Sequence, residues 1–428
     1  MSELLDALNR IKNDLTVIED EVTNLPTEPD CSEHEAAIIA LTGRVDELKQ
    51  VFTTIRGAAD LALNLPPIEL PDDEEPTDPP TEPPTGSYTR DGVIQFLKNL
   101  PEDRLLIGQQ MQHDAEPTAW IYNYLEEQMQ TIYDQGGVPA IIGFDLNDKF
   151  NANGDYSKLI EWVSESFDVG ALPLITWHMT NPWHPEHLWY NSERFDYSQI
   201  LPGGSHHAVF KAYIDSGAGA LLELKRRGIP VLFRPFHEMN LTESFWWAHW
   251  EFDQYQELWR WLHDYYTNEF GLDNLIWVFS PNDLYSEFGR SGREHYPGDS
   301  YVDVIGIDKY WRGTEGVPFS LWRGKHNFYK NNDGDAYSFY KDMLALAGDK
   351  PLFLTEVGPQ NPSAPDENDR RYNYHTLVNE MISGYPELTG FNAWEWVWRM
   401  GFQGGTAETF ADPRTIDAPM LKQYLTSE

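Results

Sequence analysis

The stretch Ile229-Pro230-Val231-Leu232-Phe233-Arg234-Pro235-Phe236-His237-Glu238-Met239-Asn240 changes from apolar to polar along its length. Its first five residues are apolar and follow Gly228, which is typical of a strand buried on both faces. In a parallel α/β barrel, the loops after the strands form the functional face. We therefore expect Glu238 to project into a cleft. The alternative is a structural carboxylate at the rim, paired with Arg234.

Aromatic residues follow at Phe245, Trp246 and Trp247, and they are abundant throughout the chain. They make up 14% of the 428 residues and include 16 Trp. Flat aromatic faces beside a carboxylic acid suit sugar rings, whose C–H faces stack while their hydroxyls need hydrogen bonds. The composition therefore favours a carbohydrate cleft over a nucleotide site.

The formal net charge is −38, from 69 acidic and 31 basic residues, and no basic cluster stands out. We therefore expect neither nucleic acid nor an anionic membrane as a partner. One cysteine, Cys31, excludes an intrachain disulfide framework and a cysteine-rich zinc site. The opening residues lack a positively charged region, and no apolar run is long enough to span a bilayer, so we expect no conventional export signal and no membrane insertion.

Apolar residues recur at alternating spacings of four and three within residues 4–25 and again within residues 38–62. This heptad pattern predicts an α-helical, coiled-coil-like region over residues 1–65, which makes the chain a homo-oligomer or docks it to a larger particle. The alternative is an amphipathic hairpin that packs on the main domain. Residues 66–86 are rich in proline and acidic residues and lack Lys and Arg, which predicts an extended linker. The main domain then covers residues 87–428.

Apolar strand-like runs alternate with helical patterns throughout this main domain. The predicted strands are residues 105–109, 138–145, 172–179, 230–237, 275–281, 302–310, 351–357 and 389–396. The predicted helices are residues 119–134, 156–167, 207–227, 252–270, 336–347 and 370–384. Eight strands alternating with helices predict an α/β fold, a (β/α)8 TIM barrel. A doubly wound sheet is the alternative, but no Gly-rich phosphate loop follows the first strand.

Polar and aromatic residues collect where these strands end, and we expect them on one face of the barrel. They are His113, Asp145, Trp177, His178, His237, Glu238, Asn282, Asp283, Asp308, Tyr310, Trp311, Glu356, Trp394, Glu395 and Trp396. Glu238 and Glu356 each end an apolar run, on the fourth and seventh strands, which face each other across the mouth. Two carboxyls about 5–5.5 Å apart are the arrangement for retaining glycoside hydrolysis.

Three motifs together resemble glycoside hydrolase family 26, best known for β-mannanases. They are Arg-Pro-Phe-His-Glu-Met-Asn at 234–240 with Phe-Trp-Trp at 245–247, Ser-Pro-Asn at 280–282, and Thr-Glu-Val-Gly at 355–358. The resemblance covers about residues 103–428 and implies a retaining mechanism. It implies Glu238 as acid/base, Glu356 as nucleophile and no cofactor. We expect hydrolysis of a β-mannan-type polysaccharide, and an endo mode because nothing obvious caps the cleft.

The resemblance also implies that His178, His237, Tyr310 and Trp394 shape the subsite where the glycosidic bond breaks. The remaining predicted substrate-binding residues are Trp177, Asn240, Phe245, Trp246 and Trp311. Either histidine could instead be a satisfied core residue, and Trp394 could fill the barrel interior. A cleft walled by Phe245 and Trp246, together with the charge of Glu356, would raise the pKa of Glu238.

One feature leaves the substrate open. Relatives usually carry a Trp directly before the Phe-Trp-Trp triplet, where this chain has Ser244. β-1,3-Xylan and mixed-linkage β-glucan are therefore alternative substrates, and a glycan-binding protein that has lost catalysis is the alternative from another class.

Oxygen-rich residues at Asp148, Asn151, Asn153 and Asp155, and at Asp333 and Asp335, lack full calcium-ligand spacing, and we expect solvated turns and no metal.

The expected place of action follows from the expected substrate. Polysaccharides of this kind lie outside cells, whereas the chain shows no conventional export signal. We therefore expect extracellular action as part of a bacteriophage virion, with the heptad region as the assembly region. A secreted enzyme is the alternative.

Overall fold

A computed structural model describes eleven ranges of the chain. They are residues 88–111, 129–147, 154–185, 193–241, 244–248, 251–283, 292–311, 339–359, 373–395, 398–401 and 403–426. The predicted heptad region and the acidic linker lie outside these ranges. Outside them also lie His113, Asp148, Asn151, Asn153, Asp333, Asp335 and Trp396.

Eight parallel strands form a closed barrel in chain order, because each strand pairs with the next and β8 pairs with β1. The strands are β1 Leu105–Gln110, β2 Ile141–Asp145, β3 Leu172–Trp177, β4 Val231–Pro235, β5 Leu275–Phe279, β6 Val304–Trp311, β7 Leu352–Pro359 and β8 Leu388–Ala393. A short ninth strand, β9 Thr415–Ile416, pairs in parallel with the first two residues of β1, Leu105 and Leu106. The predicted (β/α)8 barrel is confirmed.

Helices alternate with the strands. They are α1 Arg90–Lys98, α2 Ser157–Val169, α3 His207–Arg226, α4 Phe252–Asp264, α5 Phe339–Ala347, α6 Tyr374–Gly384, α7 Thr406–Ala411 and α8 Ala418–Thr426. The helix predicted over residues 252–270 changes to a π-helical turn at Tyr265–Glu269, and α1, α7 and α8 were not predicted. Within the described residues, no helix is both long enough and apolar enough to cross a membrane.

Alternate residues of each strand face opposite sides of the barrel wall. On β4 and β5, Leu232, Ile276 and Val278 belong to a buried cluster that also contains residues of α1 and α8. Their neighbours Phe233 and Trp277 belong to a second cluster shared with the surrounding helices. The first cluster therefore fills the barrel interior at the N-terminal ends of the strands, and α1 and α8 close that end.

The interior becomes polar toward the C-terminal ends of the strands. The next inward-facing residues are Arg234 after Leu232, Ser280 after Val278, and Asp308 four residues after Val304, and all three are buried. Because alternation has a period of two, the same face of a strand carries both the apolar base and the polar top. The buried polar groups of the barrel therefore lie together at the mouth.

A β-bulge in β7 adds one residue to this polar layer. Ile307 pairs with Leu354, yet Asp308 pairs with Glu356, so Thr355 is the extra residue. Thr355 and Glu356 both bond to interior groups, Asp308 and Arg234 respectively, although they are consecutive. Bulges of this kind redirect side chains next to functional sites.

Candidate active site

Three buried carboxylates meet at the mouth of the barrel. One oxygen from each of Glu238, Asp308 and Glu356 lies within 4.8 Å of the other two. They come from the end of β4, from β6 and from β7, which the closed barrel brings together. The two glutamates predicted from the sequence are therefore close neighbours.

Arg234 supplies the positive charge between two of these carboxylates. Its Nη2 donates to Glu356 Oε1 at 2.6 Å and also to Asp308, while Nη1 donates to Thr176 at 2.9 Å. Asp308 further accepts from the hydroxyls of Ser280 and Thr355. The guanidinium thus holds the position that a cation would take between Asp308 and Glu356.

One arginine does not balance three buried carboxylates. Burial raises the pKa of Asp308 to about 7, opposed by the charge of Arg234 and reinforced by that of Glu356. Desolvation disfavours the charged form of each carboxyl, and like charges nearby act in the same direction. The site therefore retains protons on carboxyl groups at pH values where exposed carboxyls have lost them.

Glu356 is held by donors on both of its oxygens. In addition to Arg234 on Oε1, the hydroxyl of Tyr310 donates to Oε2 at 2.8 Å. Burial, followed by the charges of Glu356 and Glu238, raises the pKa of Tyr310 well above its usual value, so this hydroxyl keeps its proton. These bonds fix the orientation of the Glu356 carboxylate in the mouth.

Glu238 lies in a turn whose backbone is strained at two positions. Phe236 has φ +49° and Glu238 has φ +52°, the left-handed region that non-glycine residues rarely adopt. Such conformations cost on the order of 1–3 kcal/mol each and persist only where the surroundings hold them. They are, among the described residues, the two non-glycine residues with positive φ.

Three hydrogen bonds hold this turn. The hydroxyl of Tyr255, on α4, donates to the Phe236 carbonyl at 2.8 Å, and Trp247 Nε1 donates to the His237 carbonyl at 2.7 Å. The Glu238 amide donates to the Ser280 carbonyl at 2.8 Å. Together they direct the Glu238 side chain toward Glu356 despite the backbone strain.

The surroundings of Glu238 favour its protonated form. Burial raises the pKa of Glu238 well above its usual value, and the charges of Glu356 and Asp308 add to the shift. A hydrogen bond from Asn282 Nδ2 to Oε1 and the charge of Arg234 act in the opposite direction. The sequence prediction named a cleft walled by Phe245 and Trp246 and the charge of Glu356 as the causes, and burial and the charge of Glu356 are the two largest causes of the shift.

Two histidines and an aspartate form a chain beside the carboxylates. His178 Nδ1 bonds with Asp145, and His178 Nε2 lies 3.1 Å from His237 Nε2. Asp145 also accepts from the amides of Asn147 and His178, which fixes its orientation. The Asp145 contact therefore fixes the His178 ring nitrogen that faces His237.

Phe245 and Trp394 lie beside these histidines. The Phe245 ring is 5.1 Å from His237 and 5.7 Å from His178, and it stacks on Trp247 at 4.7 Å with an interplanar angle of 2°. The Trp394 ring is 6.2 Å from His178. Aromatic faces thus line the same cluster as the carboxylates, as a sugar-binding cleft requires.

Two predicted substrate-binding residues lie away from the carboxylates. Trp177 is an outward-facing residue of β3 and packs toward α3, where a Cβ on Gly217 would lie 2.9 Å from its ring. Trp246 is fully buried, donates from Nε1 to the Met179 carbonyl and packs on Phe236. Both are core residues, because strand alternation and the turn after β4 direct them to the helical layer. Trp311 ends β6, and its side chain lies outside the described residues.

Thr176, Arg234, Ser280, Asp308 and Thr355 form the hydrogen-bonded floor of this cluster. Asp308 was expected on this face of the barrel, whereas the other four were not predicted as site residues. The alternation of each strand was the available signal, because these residues continue the inward-facing apolar positions of the barrel. Tyr255 and Trp247 carried no comparable signal, since their roles depend on the fold of the turn.

The family model described as glycosyl hydrolase family 26 matches residues 83–416. A mannan endo-1,4-beta-mannosidase of Bacillus subtilis (strain 168) is 30% identical over 304 residues, which are 66% of this chain and 73% of the relative. Mannan endo-1,4-beta-mannosidase A and B of Caldalkalibacillus mannanilyticus is 29% identical over 360 residues, 77% of this chain and 61% of the relative.

The barrel also resembles solved structures. Bacillus subtilis mannanase man26 gives a TM-score of 0.59 at 24% identity, over 79% of this chain and 96% of that chain. The family match covers every strand of the barrel and both buried glutamates. The chain therefore belongs to glycosyl hydrolase family 26 and is a glycoside hydrolase.

Proposed function

We propose that this hydrolase cleaves a β-1,4-linked mannan at internal bonds, with retention of anomeric configuration. The proposal rests above all on the pair of buried carboxylates, Glu238 and Glu356, whose oxygens approach within 4.8 Å. Retaining enzymes hold their carboxyls about 5–5.5 Å apart, whereas inverting enzymes need about 6.5–9.5 Å to admit a water molecule. The mannan specificity is supported by the relatives, which are named as mannan endo-1,4-beta-mannosidases.

In the first step, Glu356 attacks the anomeric carbon and the bond to the leaving oxygen breaks. Glu238 transfers its proton to that oxygen, for which its raised pKa suits it. Arg234 and Tyr310 hold the two oxygens of Glu356, so the attacking carboxylate enters the reaction already oriented.

In the second step, the deprotonated Glu238 takes a proton from water, and the resulting hydroxide attacks the same carbon. The bond to Glu356 breaks and the sugar leaves with its original configuration. His178, His237, Phe245 and Trp394 surround the position of the sugar ring and provide aromatic and hydrogen-bonding contacts.

Reducing-end release from mannan, glucomannan, β-1,3-xylan and mixed-linkage β-glucan tests the substrate. We expect the highest kcat/KM on mannan or glucomannan, with a mixture of oligosaccharide lengths from the start of the reaction. Proton NMR of the first product should show the β-anomer. An α-anomer would exclude double displacement, and a preference for xylan or mixed-linkage glucan would replace mannan as the substrate. Saturable binding without cleavage would favour the glycan-binding alternative.

We also propose that residues 1–65 assemble the chain into a homo-oligomer or dock it to a larger particle such as a bacteriophage virion. The proposal is supported by the heptad pattern of the sequence. Sedimentation of the full chain against a chain starting at Tyr88 tests it. We expect a larger species for the full chain alone, and a monomer in both cases would contradict self-assembly.

A further inference from the structure

The side chain of Asn240 is bonded to the main chain of Asn282. Asn240 Nδ2 donates to the Asn282 carbonyl at 2.7 Å, and the Asn282 amide donates to Asn240 Oδ1 at 2.8 Å. Both polar ends of one buried amide thus bind one residue on the neighbouring loop. The two bonds join the turn after β4 to the loop after β5.

Asn282 in turn contacts the buried glutamate of the β4 turn. Its side-chain Nδ2 donates to Glu238 Oε1. A second link lies two residues earlier, where the Glu238 amide donates to the Ser280 carbonyl at 2.8 Å. The position of the Glu238 carboxyl therefore depends on where the main chain of Asn282 is held.

We propose that Asn240 is a positioning residue. It holds the main chain of Asn282 so that the side-chain amide of Asn282 orients Glu238 toward the leaving oxygen. The inference rests on the proposed acid/base role of Glu238. It replaces the substrate-binding role predicted for Asn240, because both ends of its amide bond to Asn282. With Oε1 engaged by Asn282, Oε2 is the oxygen assigned to proton transfer.

The Asn282 contact also affects the charge of Glu238. A donor to a carboxylate oxygen favours the ionised form, so this contact opposes the effect of burial on the pKa of Glu238. The other ionisable groups around the carboxyl are Arg234, His237, Asp308, Tyr310, Glu356 and His178, and replacing Asn240 removes none of them. Loss of the Asn240 contact should therefore move the alkaline limb of kcat/KM to higher pH.

The leaving group distinguishes acid positioning from other roles. A sugar leaving group needs protonation, whereas 2,4-dinitrophenolate leaves without it. Since acid/base catalysis contributes typically 10²–10⁴-fold, we expect partial misplacement in Asn240→Ala to lower kcat/KM on the polysaccharide about 10- to 100-fold. The rate of the glycosylation step with a 2,4-dinitrophenyl β-glycoside of the same sugar should stay within about threefold, because that step does not use the acid.

The test compares Asn240→Ala, Asn282→Ala and a matched control, Asn274→Ala. Asn274 Nδ2 donates to the Ile229 carbonyl at 2.9 Å, so it joins the same two strands at their opposite ends. We expect Asn240→Ala and Asn282→Ala both to lose more activity on the polysaccharide than on the 2,4-dinitrophenyl glycoside, and both to show the pH shift. Glu238→Ala should show the largest difference between the two substrates. Asn274→Ala should lower Tm without either effect. Asn240→Ser, whose hydroxyl can accept from the main-chain amide of Asn282, should show intermediate effects on both readouts. It replaces Asn240→Ala in the test if Asn240→Ala does not fold.

Equal losses on both substrates, or an unmoved alkaline limb in a folded Asn240 variant, would overturn the positioning role and leave the proposed function intact. A wild-type protein that cleaves none of the polysaccharides would instead overturn the proposed function and this inference with it. The two failures are distinguishable, because only the second affects the unmodified protein.

Discussion

Arg234 Nη2 lies 2.6 Å from Glu356 Oε1, and the same nitrogen bonds with Asp308. All three side chains are almost fully buried, and Nη1 of the guanidinium donates to Thr176 at 2.9 Å. A planar fork can satisfy these directions together, whereas the point charge of a lysine cannot. Arg234 thus offsets part of the negative charge of the site and orients the carboxylate proposed as nucleophile.

Arg234→Lys should therefore lower both stability and activity. We expect a loss of about 1–3 kcal/mol in the free energy of unfolding, because buried partners lose hydrogen bonds to a charged group. Arg234→Met should cost about 3–5 kcal/mol, since it leaves buried carboxylates without compensation. Urea unfolding at pH 7 measures both. Arg227→Lys is the control, because its pair with Glu223 is exposed and should change stability little.

Tyr310→Phe removes the donor on Glu356 Oε2 and little else. A hydrogen bond to a charged group is worth about 1.5–3 kcal/mol, so we expect kcat to fall about 10- to 150-fold. Steady-state kinetics on the best polysaccharide measures the change. Tyr266→Phe removes another buried hydroxyl, which donates to the Ile214 carbonyl at 2.9 Å beneath the helices. That variant should lose stability while keeping kcat, and a similar kcat loss in both would contradict the assigned role of Tyr310.

Glu238→Gln should make the folded protein more stable at neutral and alkaline pH. The pKa of Glu238 is raised in the folded state by burial and by Glu356 and Asp308, so the folded state binds the proton more tightly than the unfolded state. Stability is therefore lost as pH rises from the usual Glu value of about 4.3 toward the raised value. Glutamine never ionises, keeps an acceptor for Asn282 and avoids this loss.

Thermal unfolding across pH measures this effect. The Tm of Glu238→Gln should match that of the wild type near pH 4 and exceed it increasingly above, while activity is lost. Each unit of pKa shift corresponds to about 1.4 kcal/mol. Glu223→Gln is the control: hydrogen bonds from Arg227 and Arg226 lower the pKa of Glu223, so the sign should reverse and the effect should be small. A Tm difference independent of pH would rule out a charge effect at Glu238.

The sequence predicted the barrel because eight apolar strand-like runs alternate with helical patterns, and on β4 and β7 these runs end in glutamates. Burial on both faces of a parallel strand leaves a signal that a single sequence displays. The same pattern predicted the proximity of Glu238 and Glu356. His178, His237, Phe245, Tyr310 and Trp394 were likewise brought together in the site.

The remaining features depend on long-range packing and leave no local signal. Trp246 is flanked by Phe245 and Trp247, yet only its fully buried position on Phe236 shows that it is a core residue. The bulge at Thr355 interrupts strict alternation, which would otherwise direct Glu356 toward the helices. From the sequence, Asn240 was predicted to bind substrate in the cleft, whereas in the structure its side chain bonds to the main chain of Asn282.

Gly306→Ala should disturb the floor of the site. A Cβ at Gly306 would lie 2.7 Å from both Thr355 Oγ1 and Cγ2 and 2.9 Å from Ser280 Cβ, so the hydroxyls that bond Asp308 must move. Overpacking of this kind costs typically about 1–3 kcal/mol. We expect lower Tm and lower kcat together. Gly219→Ala, on α3 with open space around its Cβ, should instead gain about 0.4–1 kcal/mol and keep kcat.

The left-handed backbone at Phe236 and Glu238 is a strain that the active turn needs and that lowers stability. In a directed-evolution experiment, selection for heat resistance and selection for turnover therefore favour different residues at this turn. Glycine adopts this conformation without steric cost, so Glu238→Gly relieves strain that the active turn maintains, whereas Phe236→Gly would lose the buried ring that packs on Trp246. Glu238→Gly additionally removes a buried ionisable group. A selection that ranks variants by residual folded protein after heating should therefore enrich inactive chains altered at this turn. Improved catalysts are expected only where turnover is measured in the same round.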